Sequence, residues 1–251
     1  MKIEINPKYQ SLKDYLLTLP SLMSSTEGET IHNGRNLIKV FTAPDGTRLN
    51  VKRYHRPILI NAIVYTLGIR KPKGKRAFDY PRLLLDAGIN TPEPVAYIEQ
   101  HTCGLIAYSY FVSIQCNLPN RFYEVPNDPA EIYVPLAEAF ARLTAQMHNA
   151  RMLHRDYSPG NILWQCQSDG HFDFSLVDIN RMYFGDVSLE MGCANFARLW
   201  GSKHFFSVIA DVYAKERGFD AQKCLECVLR ERRAFWSKYL KHHTVPFTLD
   251  F

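Results

Sequence analysis

The sequence predicts an α+β fold in two lobes, a small antiparallel β-sheet lobe over residues 1–112 and a mainly helical lobe over 113–251. Two observations carry this. Tight-turn dipeptides punctuate short apolar runs in the first part of the chain, and apolar residues recur at helical spacing through most of the second.

In chain order, an amphipathic segment from Tyr9 to Leu19 precedes a polar stretch at 24–29. Three strands follow, at about Thr30–His32, Leu37–Phe41 and Leu49–Tyr54, joined by Asn33-Gly34 and Ala43-Pro44-Asp45-Gly46. Asn-Gly and Asp-Gly between apolar runs favour hairpins because these residues adopt the required backbone angles cheaply. Ala77, Tyr80, Leu84 and Leu85 share one helical face, with Pro81 arguing for a helix start near residue 80 and Gly88 for its C-cap. Strands at Val95–Glu99 and Leu105–Val112 complete a five-stranded sheet with one helix. Beyond them, Val134, Leu136, Ala137, Phe140, Leu143 and Met147 make one wide apolar face, a core helix over 130–150. Further helices are predicted at about 188–200, 204–216 and 220–242.

A chain of 251 residues, 46% hydrophobic and 22% charged, can bury a sizeable core. The longest apolar window, Ile58 to Ile69, is too short to span a bilayer, and no signal-peptide stretch opens the chain, so a cytoplasmic protein is expected. Six scattered cysteines do not suggest a disulfide framework, and Cys224-x-x-Cys227 reads as buried helical thiols. The net charge of +5 gathers in two clusters, Arg70-Lys71-Lys73-Lys75-Arg76 and Arg230-Arg232-Arg233-Lys238-Lys241. Such clusters attract phosphate-bearing surfaces. A lipid surface is favoured over nucleic acid, for which no recognised motif is present.

The chemistry concentrates in His154-Arg155-Asp156-Tyr157-Ser158-Pro159-Gly160-Asn161, followed by an apolar strand, a Ser168-Asp169-Gly170 turn, and Asp178 at the end of a second strand. His-x-Asp-x-x-x-x-Asn is the spacing by which kinases put a base and a metal ligand in one loop. Phosphoryl transfer needs positioning and charge stabilisation more than covalent chemistry. Asp156 would take the proton of an acceptor hydroxyl. Asn161 and Asp178 would offer oxygens to Mg²⁺, which prefers hard ligands and keeps several waters. His154 reads as a packed histidine that steadies the loop. In the third strand Lys52 would bind the α- and β-phosphates of ATP, with Arg53 as the register alternative. Asp79 is the candidate carboxylate partner of Lys52, and Asp86, Glu93 and Glu99 are its fallbacks.

The ordered set Lys52, a helical acid, His154-x-Asp156-x-x-x-x-Asn161 and Asp178 resembles the protein-kinase-like fold. More narrowly, with 76–80, 87–99 and Val177-Asp178-Ile179-Asn180-Arg181, the chain resembles the lipopolysaccharide core kinase (Kdo/heptose kinase, InaA-like) family over about residues 30–185. The resemblance implies ATP and Mg²⁺ as cofactors, a hydroxyl of Kdo or heptose in the lipopolysaccharide core or a lipid A precursor as acceptor, and work at the cytoplasmic face of the inner membrane. An anionic lipid acceptor would give the basic clusters a purpose. Gly34 would take part in the loop over the ATP phosphates, although Asn33-Gly34-Arg35-Asn36 holds a single glycine. Ser158 stands where eukaryotic protein kinases usually carry a lysine, and Asn180 replaces the glycine of Asp-Phe-Gly. These departures argue against a regulated eukaryotic-type protein kinase and leave Arg181 as a candidate to steady the transferring phosphoryl group. The competing readings are a small-molecule kinase, an atypical protein kinase and a nucleotide-binding pseudokinase.

Overall fold

The computed structural model describes residues 1–125, 130–247 and 249–250. The chain divides into two compact units, Met1–Leu85 with Thr91–Asn117, and Asp86–Asn90 with Leu118–Phe251.

The first unit contains β1 (Lys2–Ile5), α1 (Lys13–Leu22) after a 3-10 turn, β2 (Glu29–Asn33), β3 (Leu37–Thr42), β4 (Arg48–Tyr54), α2 (Leu59–Thr66), α3 (Lys73–Asp86), β5 (Pro94–Thr102) and β6 (Leu105–Ile114). Its strands form one antiparallel sheet in the order β1-β5-β6-β4-β3-β2. The sheet has six strands where the sequence predicts five. The extra strand, Lys2-Ile3-Glu4-Ile5, alternates polar and apolar residues over only four positions, which is too short a pattern to stand out. It gains its stability by pairing along β5, Lys2 opposite Glu99. Leu12, Leu16, Leu19 and Met23, spaced along one helical face, pack with Leu49, Val51, Val95, Ile98 and Val112 into the core of this unit.

Helix α3 starts at Lys73 and runs through Pro81, seven residues earlier than Pro81 suggests. A mid-helix proline removes one backbone hydrogen bond, and here packing offsets that loss. Gly74, Ala77, Pro81 and Leu84 form a buried stripe. Gly74 permits the close approach, since a Cβ there would lie 2.8 Å from the Tyr97 ring and 3.1 Å from Ser109 Oγ. The predicted C-cap is present in Gly88, at φ +73°.

The second unit contains β7 (Asn120–Arg121), α4 (Ala130–Asn149), β8 (Met152–His154), β9 (Ile162–Cys166), β10 (Phe172–Leu176), β11 (Met182–Phe184), α5 (Leu189–Asn195), α6 (Lys203–Arg217) and α7 (Ala221–Tyr239). Strands β10-β9-β7 make one small sheet, and β11-β8 another. Helix α4 packs on α6, which packs on α7. The core is aromatic, with Phe122, Phe140, Phe174, Phe196 and Phe205 in mutual ring contact. Cys193, Cys224 and Cys227 are buried free thiols. One member of the second basic cluster is not a surface charge. Arg232 is fully buried, donating to the carbonyls of Leu199 (2.6 Å) and Gly201 (3.2 Å) with its guanidinium over the Phe206 ring. Burial pulls its pKa down to about 9.

Candidate active site

In the second unit, β8 delivers the chain to a loop built around His154, whose side chain is fully buried. Its Nδ1 accepts the backbone N–H of Asp156 at 3.0 Å. The neutral ring therefore carries its proton on Nε2, which donates to the carbonyl of Val177 at 3.0 Å. Burial holds this histidine below the usual pKa range. One imidazole thus ties the residue at 156 to the one preceding Asp178.

A second tie comes from Asn161. Its Nδ2 donates to the carbonyl of Asp156 at 2.8 Å, and its own carbonyl accepts the N–H of Val177 at 3.0 Å. The β9–β10 register places Ile162 opposite Leu176, so Asn161 and Val177 follow at the same end of the hairpin. Ser158-Pro159-Gly160 forms the expected turn, a short 3-10 segment with Asn161 N–H on the Ser158 carbonyl. Tyr157 anchors the loop inward, stacked on Phe140 and hydrogen-bonded to Thr144 at 2.9 Å. Asp178 lies in the left-handed region at φ +57°, a conformation that Asp tolerates better than most residues. Asn180 Nδ2 donates to its carboxylate. The structure thus brings Asp156, Asn161 and Asp178 into one hydrogen-bonded assembly.

The carboxylate of Asp156 is held by two arginines. Arg198 Nη1 lies 2.6 Å from Oδ1, and Arg181 Nη1 lies 3.5 Å from Oδ2. Arg198 stands alone in the sequence, outside any motif that would single it out. Behind the loop runs a buried hydrogen-bond chain. Asn195 Nδ2 donates to the carbonyl of His154 at 2.9 Å, and its Oδ1 lies 3.2 Å from His148 Nε2. Because that oxygen can only accept, His148 Nδ1 must accept from the Tyr213 hydroxyl at 2.8 Å. Burial pushes the pKa of His148 down to about 3.

The other predicted residues lie in the first unit. Lys52 is buried on β4, its Nζ 5.2 Å from the Tyr54 ring centroid. Strand alternation turns Arg53 to the opposite face, where it donates to Ser24 Oγ at 3.3 Å. Asp79 on α3 binds Lys75 at 2.6 Å and Lys71 at 2.7 Å. Gly34 sits in the β2–β3 turn, its N–H on the Asn36 carbonyl at 3.2 Å.

The donor set suits magnesium. With Nδ2 of Asn161 committed to the backbone, its Oδ1 is the atom left to offer. Asp178 adds a carboxylate, and Asn180 Oδ1 is buried without a hydrogen-bond partner. These are hard oxygens, and Mg²⁺ commonly takes only one or two protein carboxylates, completing its shell with phosphate and water.

Fold and loop together define a protein-kinase-like phosphotransferase. Within that class, residues 127–203 match the model of the Lipopolysaccharide kinase (Kdo/WaaP) family, a span that includes Asp156, Asn161, Asp178 and Arg198. That match agrees with the family resemblance carried by the sequence motifs. No curated protein sequence matches it. Among solved structures it is similar to WaaP in complex with acyl carrier protein, at 17% identity and a TM-score of 0.61, covering 97% of this chain and 100% of that one. It is similar to the amicoumacin kinase hAmiN in complex with AMP-PNP, Ca²⁺ and Ami, at 13% identity and 0.58, covering 95% and 88%. It is also similar to the Rio2 kinase-ADP/Mg²⁺-phosphoaspartate complex from Chaetomium thermophilum, at 15% and 0.51, covering 94% and 78%.

Proposed function

We propose that this chain transfers the γ-phosphoryl group of ATP to a sugar hydroxyl, on Kdo or heptose, of the lipopolysaccharide inner core. The observation that carries the reading is the hydrogen-bonded union of Asp156, Asn161 and Asp178 through His154 and the backbone at Val177. Asp156 orients the acceptor hydroxyl and receives its proton. Asn161 and Asp178 hold Mg²⁺, and Lys52 grips the α- and β-phosphates. Asp79 is the carboxylate partner of Lys52 in that grip, and Gly34 belongs to the turn over the phosphates. When bound, the metal offsets the charge of the triphosphate. Arg181, exposed and only loosely paired with Asp156, meets the negative charge that develops on the transferred group; its 3.5 Å spacing from Asp156 supports this role.

The acceptor is a lipid-linked anion at the inner face of the inner membrane, where basic side chains gain from the negative surface potential. Mass spectrometry of core lipopolysaccharide from cells lacking the protein tests the function. The expected result is the loss of one phosphate, restored by the wild-type chain and not by Asp156→Asn. Unchanged core lipid would overturn it.

A further inference from the structure

The exposed apolar residues of this protein are unevenly placed. Six of them, Ile58, Leu59, Ile60, Ile63, Leu67 and Ile69, fall in one twelve-residue stretch on and beside α2. Leu59, Ile60, Leu67 and Ile69 are 66%, 71%, 69% and 72% exposed, which is open solvent for side chains of this kind. The helix is short and firmly seated. Its inner side carries Ala62, buried, and Thr66, whose hydroxyl donates to the Ala62 carbonyl and accepts the N–H of Ile106 at 3.1 Å on β6. At 100° per residue, positions 59, 63, 67 and 60 fall within one arc of about 100°, adjoining the inner side marked by Ala62 and Thr66. A contiguous apolar face on a folded protein marks an interaction site.

The charge around this face identifies the occupant. Between Asp45 and Asp79 the chain carries nine lysines and arginines and not one acid. Arg56 and Arg70 flank α2 and are exposed. Arg35, Arg56 and Lys73 line a cavity of about 250 Å³ together with Ile58, Asn61 and Tyr65. An apolar arc bordered by cations, with no acid among them, is complementary to a surface that is apolar within and anionic at its edge. At eight residues α2 is far too short to cross a bilayer, and no helix among the described residues is long and apolar enough to do so. Such an element lies in the interface plane.

We infer that α2 and its flanks are a membrane-docking element, with Leu59, Ile60, Ile63 and Leu67 entering the headgroup–acyl boundary of an anionic bilayer while Arg56 and Arg70 engage lipid phosphates. The inference gives a structure to the membrane contact of the proposed function, but the observations on α2 stand without it.

Co-flotation of the full chain with vesicles tests it. The wild type floats with phosphatidylglycerol–phosphatidylcholine vesicles and at least tenfold less with phosphatidylcholine alone. The triple variant Leu59→Asn/Ile60→Asn/Leu67→Asn loses anionic binding at least tenfold, with the wild-type melting temperature kept because these side chains are already largely in water. Arg56→Glu/Arg70→Glu loses it too. A wild type that does not float, or a triple variant that floats equally well, overturns the inference. So does a wild type that is dimeric and vesicle-free beside a monomeric triple variant, which would assign the face to a second copy. Phosphorylation of a soluble, delipidated core oligosaccharide separates this inference from the kinase reading. The triple variant keeps that rate if only docking is lost, whereas a wild type inactive on it tells against the kinase reading alone.

Discussion

Arg198 clamps Asp156, its Nη1 2.6 Å from Oδ1, while the guanidinium leans on the Phe235 ring of α7 at 5.8 Å from the centroid. A carboxylate gripped on one oxygen has a fixed orientation, and a base must be aimed before it can be useful. Removing the base itself, by Asp156→Asn, should lower kcat about 10²–10⁴-fold, the usual worth of general base catalysis. Arg198→Ala should lower kcat by about tenfold or more with KM for ATP unchanged, because the arginine acts through Asp156. Arg198→Lys should recover part of the loss, since an ammonium restores the charge without the planar fork. Steady-state kinetics with ATP varied at saturating acceptor checks the split. Equal effects on kcat and on KM for ATP would assign Arg198 to nucleotide binding.

The chain from Tyr213 through His148 and Asn195 to His154 makes stability pH-dependent. Both histidines are buried neutral, His148 with its pKa lowered to about 3 and His154 also lowered, in each case by burial. An unfolded histidine takes up a proton near pH 6.5. Below that pH the unfolded chain therefore binds more protons than the folded one, and stability falls as pH falls from 6.5 toward 3. Above 6.5 both states are neutral and the effect is absent. Urea unfolding should show a decline on the order of 1 kcal/mol per pH unit from His148 in that window, with His154 adding to it in the same direction. His148→Gln should flatten the slope relative to wild type. A slope unchanged in that variant would remove His148 from this account.

The parts of the site that were legible in the sequence are those that act within one short stretch. Asp156 and Asn161 belong to one loop, and Asp178 follows the strand that pairs back on the one leaving that loop, so spacing alone announces them. The hairpins of the first unit were legible for the same reason, because a two-residue turn is a local event. Arg198, Asn195 and His148 were not. Each lies on a helix or in the segment after one, and only tertiary packing brings it behind the loop. Strand β1 is hard to read because four residues carry too little pattern, and α3 starts earlier than its proline suggests because the burial of Gly74, Ala77 and Pro81 overrides the local penalty. In the sequence Arg232 reads as surface charge, because a guanidinium held by two carbonyls and a phenyl face leaves no mark in composition.

Gly192 tests how tightly α5 is packed over the buried chain. A Cβ added there would collide with the Tyr213 hydroxyl and sit 3.4 Å from His148 Nδ1. Tyr213 is fully enclosed and has no room to retreat. Gly192→Ala, ordinarily favourable inside a helix, should therefore destabilise the protein by about 1–3 kcal/mol through overpacking. Thermal or urea unfolding measures this. In Tyr213→Phe the clashing oxygen is gone, so Gly192→Ala should cost less in that background than in the wild type.

The metal and the nucleotide can be separated by ligand-induced stabilisation. A ligand that binds only the folded state at a hundredfold its Kd stabilises it by about 2.7 kcal/mol. If Asn161 and Asp178 hold Mg²⁺, the wild type should gain more in melting temperature from ATP with Mg²⁺ than from ATP with chelator, and Asp178→Asn should lose that difference. Asn161→Ala removes a donor oxygen and also frees the Asp156 carbonyl that its amide now satisfies, so its own melting temperature should fall as well. Lys52→Ala should reduce the gain from ATP in both conditions, because its charge acts on the phosphates whether or not metal is present. Melting curves of the four proteins with ATP, in Mg²⁺ and in chelator, give the comparison. A Mg²⁺-dependent gain that survives in Asp178→Asn would place the metal on other residues.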